Sequence, residues 1–285
     1  MNYPLFVESN HTAIYKAYRP RYPKELYHRI LEFYFNKVNI DEINKKIPLA
    51  VDIACGSGQA TIDLSSYCGH VIGIDGSENQ LKQASLKDNI EYHCSTAENL
   101  TFLPSNSIDL VTVATALHWF DIETFFQQVN RILKPNDGVL CIWAIGMPLL
   151  NNSKASEILN NFCQNDLNNC WSDRVNLVIN HYEPILDKFP YPTTRIKHII
   201  EHQQEMSIYE FVNLIETWSP CQKYCEIHGK DKLKELLKMF ANNLVTCYIE
   251  STNDIVDRNF INNQMIVVKW IIHLHLMKKT IVDTH

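Results

Sequence analysis

A chain of 285 residues, 46% hydrophobic and 20% charged, has room for one sizeable α/β core and an elaboration upon it. Its formal charge of -6 is spread along the chain without a run of Lys or Arg, which excludes the electrostatic footprint of a nucleic-acid or anionic-lipid binder. The start, Met1 to Glu8, has no secretory pattern, and no apolar run approaches the roughly 20 residues that span a bilayer, so the expected location is cytoplasmic.

Nine cysteines at scattered positions suit reduced thiols rather than a disulfide framework. Cys221 and Cys225 are the nearest pair, but their spacing is not that of a zinc knuckle and no second pair accompanies them. His273 and His275 share one strand face with no third ligand in view, a pattern that reads as a solvated face. No metal site is expected.

In chain order, the first element is a helix over Lys24–Lys37, with Leu26, Ile30, Leu31, Phe33, Tyr34 and Phe35 on its apolar side. From about 49 to 145, short apolar runs alternate with amphipathic stretches, the rhythm of βαβ units and a mainly parallel sheet. The strands are Leu49–Ala54, His70–Asp75, Ile90–Cys94, Ile108–Ala114 and Gly138–Ile145, with helices near 58–67, 77–87 and 121–133. Lys134-Pro135-Asn136-Asp137-Gly138 stops the last of these helices. Residues 151–262 lose that rhythm and show helical signatures such as Ile208–Trp218 and Asp231–Leu244; Met265–Met277 then alternates as a half-buried edge or antiparallel strand. The expected organisation is an N-terminal lid over 1–44, a cofactor-binding core over 45–148, a helical cap or insertion over 149–262, and a C-terminal strand of the core sheet over 263–285.

Chemistry gathers at the strand ends. Val51-Asp52-Ile53 runs into Gly56-Ser57-Gly58 and then a helix, so the glycines allow a tight turn and close approach of backbone to a ligand. A dinucleotide loop would carry a third glycine where Thr61 stands, and the acid Asp52 sits inside the strand; both disfavour a nicotinamide oxidoreductase. Asp75, 17 residues after Gly58, ends the next strand and can accept two ribose hydroxyls without naming the cofactor, while Ser77 is a natural N-cap for the helix that follows. Ser95-Thr96-Ala97-Glu98 and Ala114-Thr115-Ala116-Leu117-His118-Trp119 follow the third and fourth strands. In an open α/β sheet these carboxyl ends border the ligand crevice.

The ordered set Asp52-Ile-Ala-Cys-Gly56-Ser-Gly58-Gln, Ile74-Asp75-Gly-Ser, Thr96-Ala97-Glu98-Asn-Leu, Ala116-Leu-His118-Trp119-Phe-Asp121 and Arg131-Ile-Leu-Lys-Pro135 resembles the class I S-adenosylmethionine-dependent methyltransferases. It is similar in particular to the small-molecule branch that includes trans-aconitate methyltransferases, as are Tyr15-Lys-Ala-Tyr18-Arg19-Pro20-Arg21-Tyr22-Pro23 and Thr217-Trp218-Ser219. The resemblance implies a Rossmann-like, seven-stranded, mainly parallel sheet with helices on both faces, an N-terminal lid and a helical cap. Ala54 departs from it, standing where the family usually has the first glycine of its loop.

The resemblance also implies that S-adenosylmethionine is held by Tyr18, Arg19, Asp52, Ala54, Gly56, Gly58, Asp75, Gly76, Ala97, Glu98, Ala114 and Thr115. Asp75 would take the ribose hydroxyls, the backbone around Ala97 and Glu98 the adenine, and Ala114–Thr115 the sulfonium side. Arg19 is a bidentate partner for a carboxylate of cofactor or acceptor. His118 and Trp119 are candidates to meet the acceptor, with capping and core packing as their alternatives; His118 would orient an oxygen or take its proton. Trp218 is read as packing, with a pocket role as its alternative. The expected activity is O-methylation of a small carboxylic acid by a monomer or dimer. The alternatives are a hydroxyl or macromolecular acceptor, or a regulatory protein that keeps the fold without turnover.

Overall fold

The computed structural model describes residues 21–248 and 263–280. Eight strands form one sheet: β1 (Ile47–Ile53), β2 (Cys68–Asp75), β3 (Ile90–Cys94), β4 (Leu110–Ala114), β5 (Val139–Ile145), β6 (Leu149–Leu150), β7 (Ile196–Ser207) and β8 (Met265–Lys278). Their order is β3-β2-β1-β4-β5-β8-β6, with β7 also paired to β8. The first five pair in parallel, and β8 runs antiparallel to β5, β6 and β7.

The central parallel strands β1, β4 and β5 are mostly apolar and buried because helices cover both faces, while the edge strand β3 is half exposed. Leu140, Ile142 and Ala144 of β5 join the side that packs the helix Ile122–Ile132 through Phe125, Phe126, Val129 and Ile132. Val139, Cys141 and Trp143 join the opposite side, against Leu26, Tyr27, Ile30 and Leu31 of the helix Lys24–Phe35. A third apolar core lies among the helices Ser153–Asn161, Ile208–Glu216, Ser219–His228 and Lys230–Val245, closed by Val268 and Trp270 of β8. β8 therefore reaches all three cores, its first half facing the helical cap and its second half the two sides of the sheet, with Ile272, Leu274 and Leu276 on one and Met277 on the other.

The fold class anticipated from the sequence is present, with one strand beyond the seven. β7 lies within the segment expected to be helical, and it pairs with β8 over 12 residues, from Ile196↔Leu276 to Ser207↔Met265. Its first ten residues leave only Ile200 buried, so apolar alternation does not announce it. It ends in a capping box: Ser207 Oγ accepts from the Glu210 N–H at 3.2 Å, and Glu210 Oε2 accepts from the Ser207 N–H at 2.8 Å. With β7 along one side and β5 along the other, β8 is an interior strand rather than an edge. No helix of the described residues is long and apolar enough to cross a membrane.

Candidate active site

Strand order reverses between β1 and β4, and an open α/β sheet parts at such a point to leave a crevice at its carboxyl edge. The loop after β1 enters this crevice through three left-handed residues, Ala54 (φ 54°), Gly56 (φ 58°) and Gly58 (φ 83°). At Gly56 an added Cβ would meet nothing nearer than Gln80 Oε1 at 3.9 Å, so the backbone lies open to a ligand. Gly58 serves another purpose: a Cβ there would sit 2.6 Å from the Tyr92 hydroxyl, and the residue starts the helix Gln59–Leu64 without lining the crevice.

Asp75, at the end of β2, accepts from the Gly56 N–H through Oδ2 and from the Ser77 N–H through Oδ1, both at 2.8 Å. Each oxygen keeps capacity for a further donor, the arrangement two neighbouring hydroxyls require. Burial raises its pKa, and the two backbone N–H groups oppose that rise by holding the anion. Ser77 caps the helix Glu78–Lys82, as its place in the sequence suggested.

Asp52, expected among the cofactor-binding residues, lies behind the crevice wall. It is fully buried and absent from the crevice wall, and its carboxylate takes hydrogen bonds from Thr61 Oγ1 at 2.6 Å and Thr112 Oγ1 at 2.7 Å. Burial raises its pKa to about 6 against those two donors. It ties β1 to β4 and to the helix Gln59–Leu64 from behind. The same Thr61 that breaks the dinucleotide pattern is its partner.

The crevice opens into a cavity of about 670 Å3, within the usual range for small-molecule sites. It runs from Asp75, Gly76, Ala97 and Glu98, past Ala114 and Thr115, to His118 and Trp119, and is roofed by residues of the cap. Glu98, in the wall, accepts through Oε1 from the Asp121 N–H at 2.9 Å, which ties its carboxylate to the start of the next helix. Thr115 is unusual: a β-branched residue at φ 52°, with its Oγ1 buried and unpartnered among the described residues. Gln80 Oε1, also in the wall, is buried and unpartnered in the same way. Tyr18 and Arg19 lie outside the described residues.

His118 is buried, with Nδ1 3.4 Å from the Tyr182 hydroxyl and its ring 4.6 Å from that of Trp119. Burial, then the nearby Arg174 guanidinium, lowers its pKa to about 3. It is therefore a neutral imidazole near pH 7. Arg174 also donates to the Trp119 carbonyl oxygen at 2.9 Å.

Comparison with known proteins agrees with this geometry. Residues 51–142, the stretch from β1 to β5, match the methyltransferase-domain family. The chain is 32% identical over 250 residues to a Dictyostelium discoideum protein named as a methyltransferase, covering 86% of this chain and 88% of that one. The chain belongs to the S-adenosylmethionine-dependent methyltransferases. A Saccharomyces cerevisiae protein named as an S-adenosylmethionine-dependent methyltransferase is 34% identical over 139 residues, 46% of this chain and 44% of its own length. A solved structure named as a type II methyltransferase, from Anaeromyxobacter dehalogenans, superposes with a TM-score of 0.70 over 91% of this chain and 97% of its own at 24% identity, a likeness of fold.

The methyltransferase cavity fits its cofactor at the strand-end side: a paired carboxylate at Asp75, an open backbone at Gly56, and two orphaned polar atoms on Gln80 and Thr115 that a polar ligand would satisfy. Sequence reading missed the far side. Tyr22, Trp171 and Trp270 line the cavity, and Tyr182 and Arg174 press on His118 from behind it. Trp218 both packs in the cap core and reaches the cavity wall. Tyr22 and Trp218 stand in motifs of the resemblance, whereas Trp171, Arg174, Tyr182 and Trp270 have no spacing that marks them in one dimension.

Proposed function

We propose that this methyltransferase acts on an oxygen of a small carboxylic acid, within the branch that includes trans-aconitate methyltransferases. One observation carries the choice of acceptor. His118, the one imidazole in the cavity wall among the described residues, is held neutral with its pKa lowered to about 3, which makes it a poor base near pH 7. A carboxylate already presents its electron pair and needs no base.

Bound S-adenosylmethionine supplies an electrophilic methyl group on its sulfonium. The protein's part is alignment and exclusion of water. Asp75 would fix the ribose, the backbone at Ala97 and Glu98 the adenine, and Ala114–Thr115 the reacting end, with Trp119 and the cap residues closing the far side. Arg174, next to His118 and Trp119, provides positive charge close to the acceptor's carboxylate; Arg19 is assigned a share of that task.

A second reading, transfer to a neutral nucleophile such as an amine, is favoured by one observation: no Lys or Arg among the described residues lines the cavity itself. Incubation with methyl-labelled S-adenosylmethionine and a panel of carboxylic acids, phenols and amines separates the two. The label is expected in base-labile methyl esters; label confined to amines or phenols overturns the carboxylate reading.

A further inference from the structure

The chain contains five tryptophans, and four of them, Trp119, Trp171, Trp218 and Trp270, line the one cavity described above. They come from four separate places: the turn after β4, the segment before residue 175, the junction between the helices Ile208–Glu216 and Ser219–His228, and β8. Among the described residues the charged ones in the wall, Asp75, Glu78 and Glu98, all belong to the strand-end side that the cofactor's ribose and adenine would occupy. Among the described residues no charged side chain lines the tryptophan side, and Arg174 reaches only the Trp119 carbonyl oxygen from behind the wall.

These rings are held in place. Trp171 Nε1 donates to the Cys163 carbonyl oxygen at 2.8 Å, and its ring lies 6.3 Å from that of Trp218 at an interplanar angle of 57°. Trp270 stacks on His202 at 5.7 Å and 22°. Trp218 and Trp270 are buried in the cap core. Met147, Leu214 and Ile179 line the same cavity and would adapt to a ligand of any shape, whereas the fixed indole planes reward a ligand with a plane of its own through stacked and edge-to-face contacts.

We infer that the tryptophan compartment is a specificity site for a flat, uncharged aromatic body, so that the acceptor is an aryl carboxylic acid and not a polycarboxylate. The inference rests on the carboxylate reading for its reacting group, while the ring preference stands on the compartment alone. Trp171 is the residue whose loss would expose it best, because it is only partly buried and packs at the margin of the cap core, whereas Trp218 and Trp270 lie within it.

The test uses the whole chain saturated with S-adenosylhomocysteine and titrated calorimetrically with 2-naphthoic acid, decanoic acid and tricarballylic acid. Naphthoic acid is expected to bind about tenfold more tightly than either of the others. Trp171→Leu is expected to weaken naphthoic acid by about fivefold with S-adenosylhomocysteine affinity unchanged. Equal or tighter binding of decanoic or tricarballylic acid overturns the inference, and needs no variant to be seen; so does a Trp171→Leu protein that binds naphthoic acid as the wild type does. If naphthoic acid binds as expected yet no carboxylic acid takes a labelled methyl group, the compartment stands and the carboxylate reading falls. If tricarballylic acid is methylated and naphthoic acid is not bound, the reverse holds.

Discussion

Thr115 carries two costs at once, a left-handed backbone that β-branched residues avoid and a buried hydroxyl with no partner among the described residues. Such costs persist where function requires them, and Thr115 stands in the cavity wall where the reacting end of the cofactor is assigned. Thr115→Val keeps the shape and the strain and removes only the hydroxyl. The variant is expected to be more stable than the wild type by about 1 kcal/mol in urea unfolding, and to bind S-adenosylhomocysteine about fivefold more weakly in calorimetry. A stability gain without the loss of affinity would give the hydroxyl no part in binding. His118 makes a second prediction. Its pKa of about 3 keeps it neutral at every pH from 5 to 8, so kcat/KM on a carboxylic acid should show no step assignable to it in that range, and His118→Gln should lose no more than about tenfold. A loss of several orders of magnitude with cofactor binding intact would make it a base and point to a hydroxyl acceptor. Ala54 belongs at this scale too: at φ 54° it adopts the conformation for which the family's usual glycine is suited, so the loop keeps its path at the cost of some strain.

Among the elements, β8 joins cap to core, and three histidines gather beside its second half. The rings of His181 and His273 stack at 3.6 Å, and His275 is buried one pleat along, beside the His181 backbone. The reading of a solvated strand face thus fails for His275. Lys197 and Glu183 flank the group. Among the described residues no such cluster is arranged to hold a metal ion. Burial is the main cause that lowers His273 and His275 to about 4 each, against 6.5 in an unfolded chain. Below about pH 6.5 the unfolded chain therefore binds more protons than the folded one at these positions, and stability falls as pH drops toward 4. Asp52, raised to about 6, works in the opposite sense over part of that range, since there the folded state holds the proton more tightly. A comparison isolates the histidines: the urea midpoint of a His273→Gln, His275→Gln protein should fall less between pH 7 and 4.5 than that of the wild type. Parallel slopes would show that the cluster does not carry the acid sensitivity.

At the scale of the whole molecule, the half of the site built on the sheet was legible because its signals are local. A strand run, a turn forced by Gly56 and an acid at the next strand end follow one another closely, and a resemblance of ordered motifs fixed what they hold together. The direction of Asp52 was not legible for the same local reason: its side chain follows the pleat of β1 inward, to Thr61 and Thr112, and adjacency to the loop says nothing about that. The cap half was not legible. β7 is mostly exposed and lacks an apolar rhythm, and Trp119, Trp171, Trp218 and Trp270 converge only once β8 has been laid between β5 and β7. Cofactor chemistry is thus written in neighbouring residues and acceptor chemistry in distant ones. A crystal structure with S-adenosylhomocysteine bound tests the central claim most directly. The account predicts ribose hydroxyls about 3 Å from the Asp75 carboxylate, the adenine beside Ala97 and Glu98, and the sulfur turned toward Thr115 and His118 with the tryptophan compartment beyond it. Ribose density away from Asp75, or a sulfur facing away from that compartment, would contradict it.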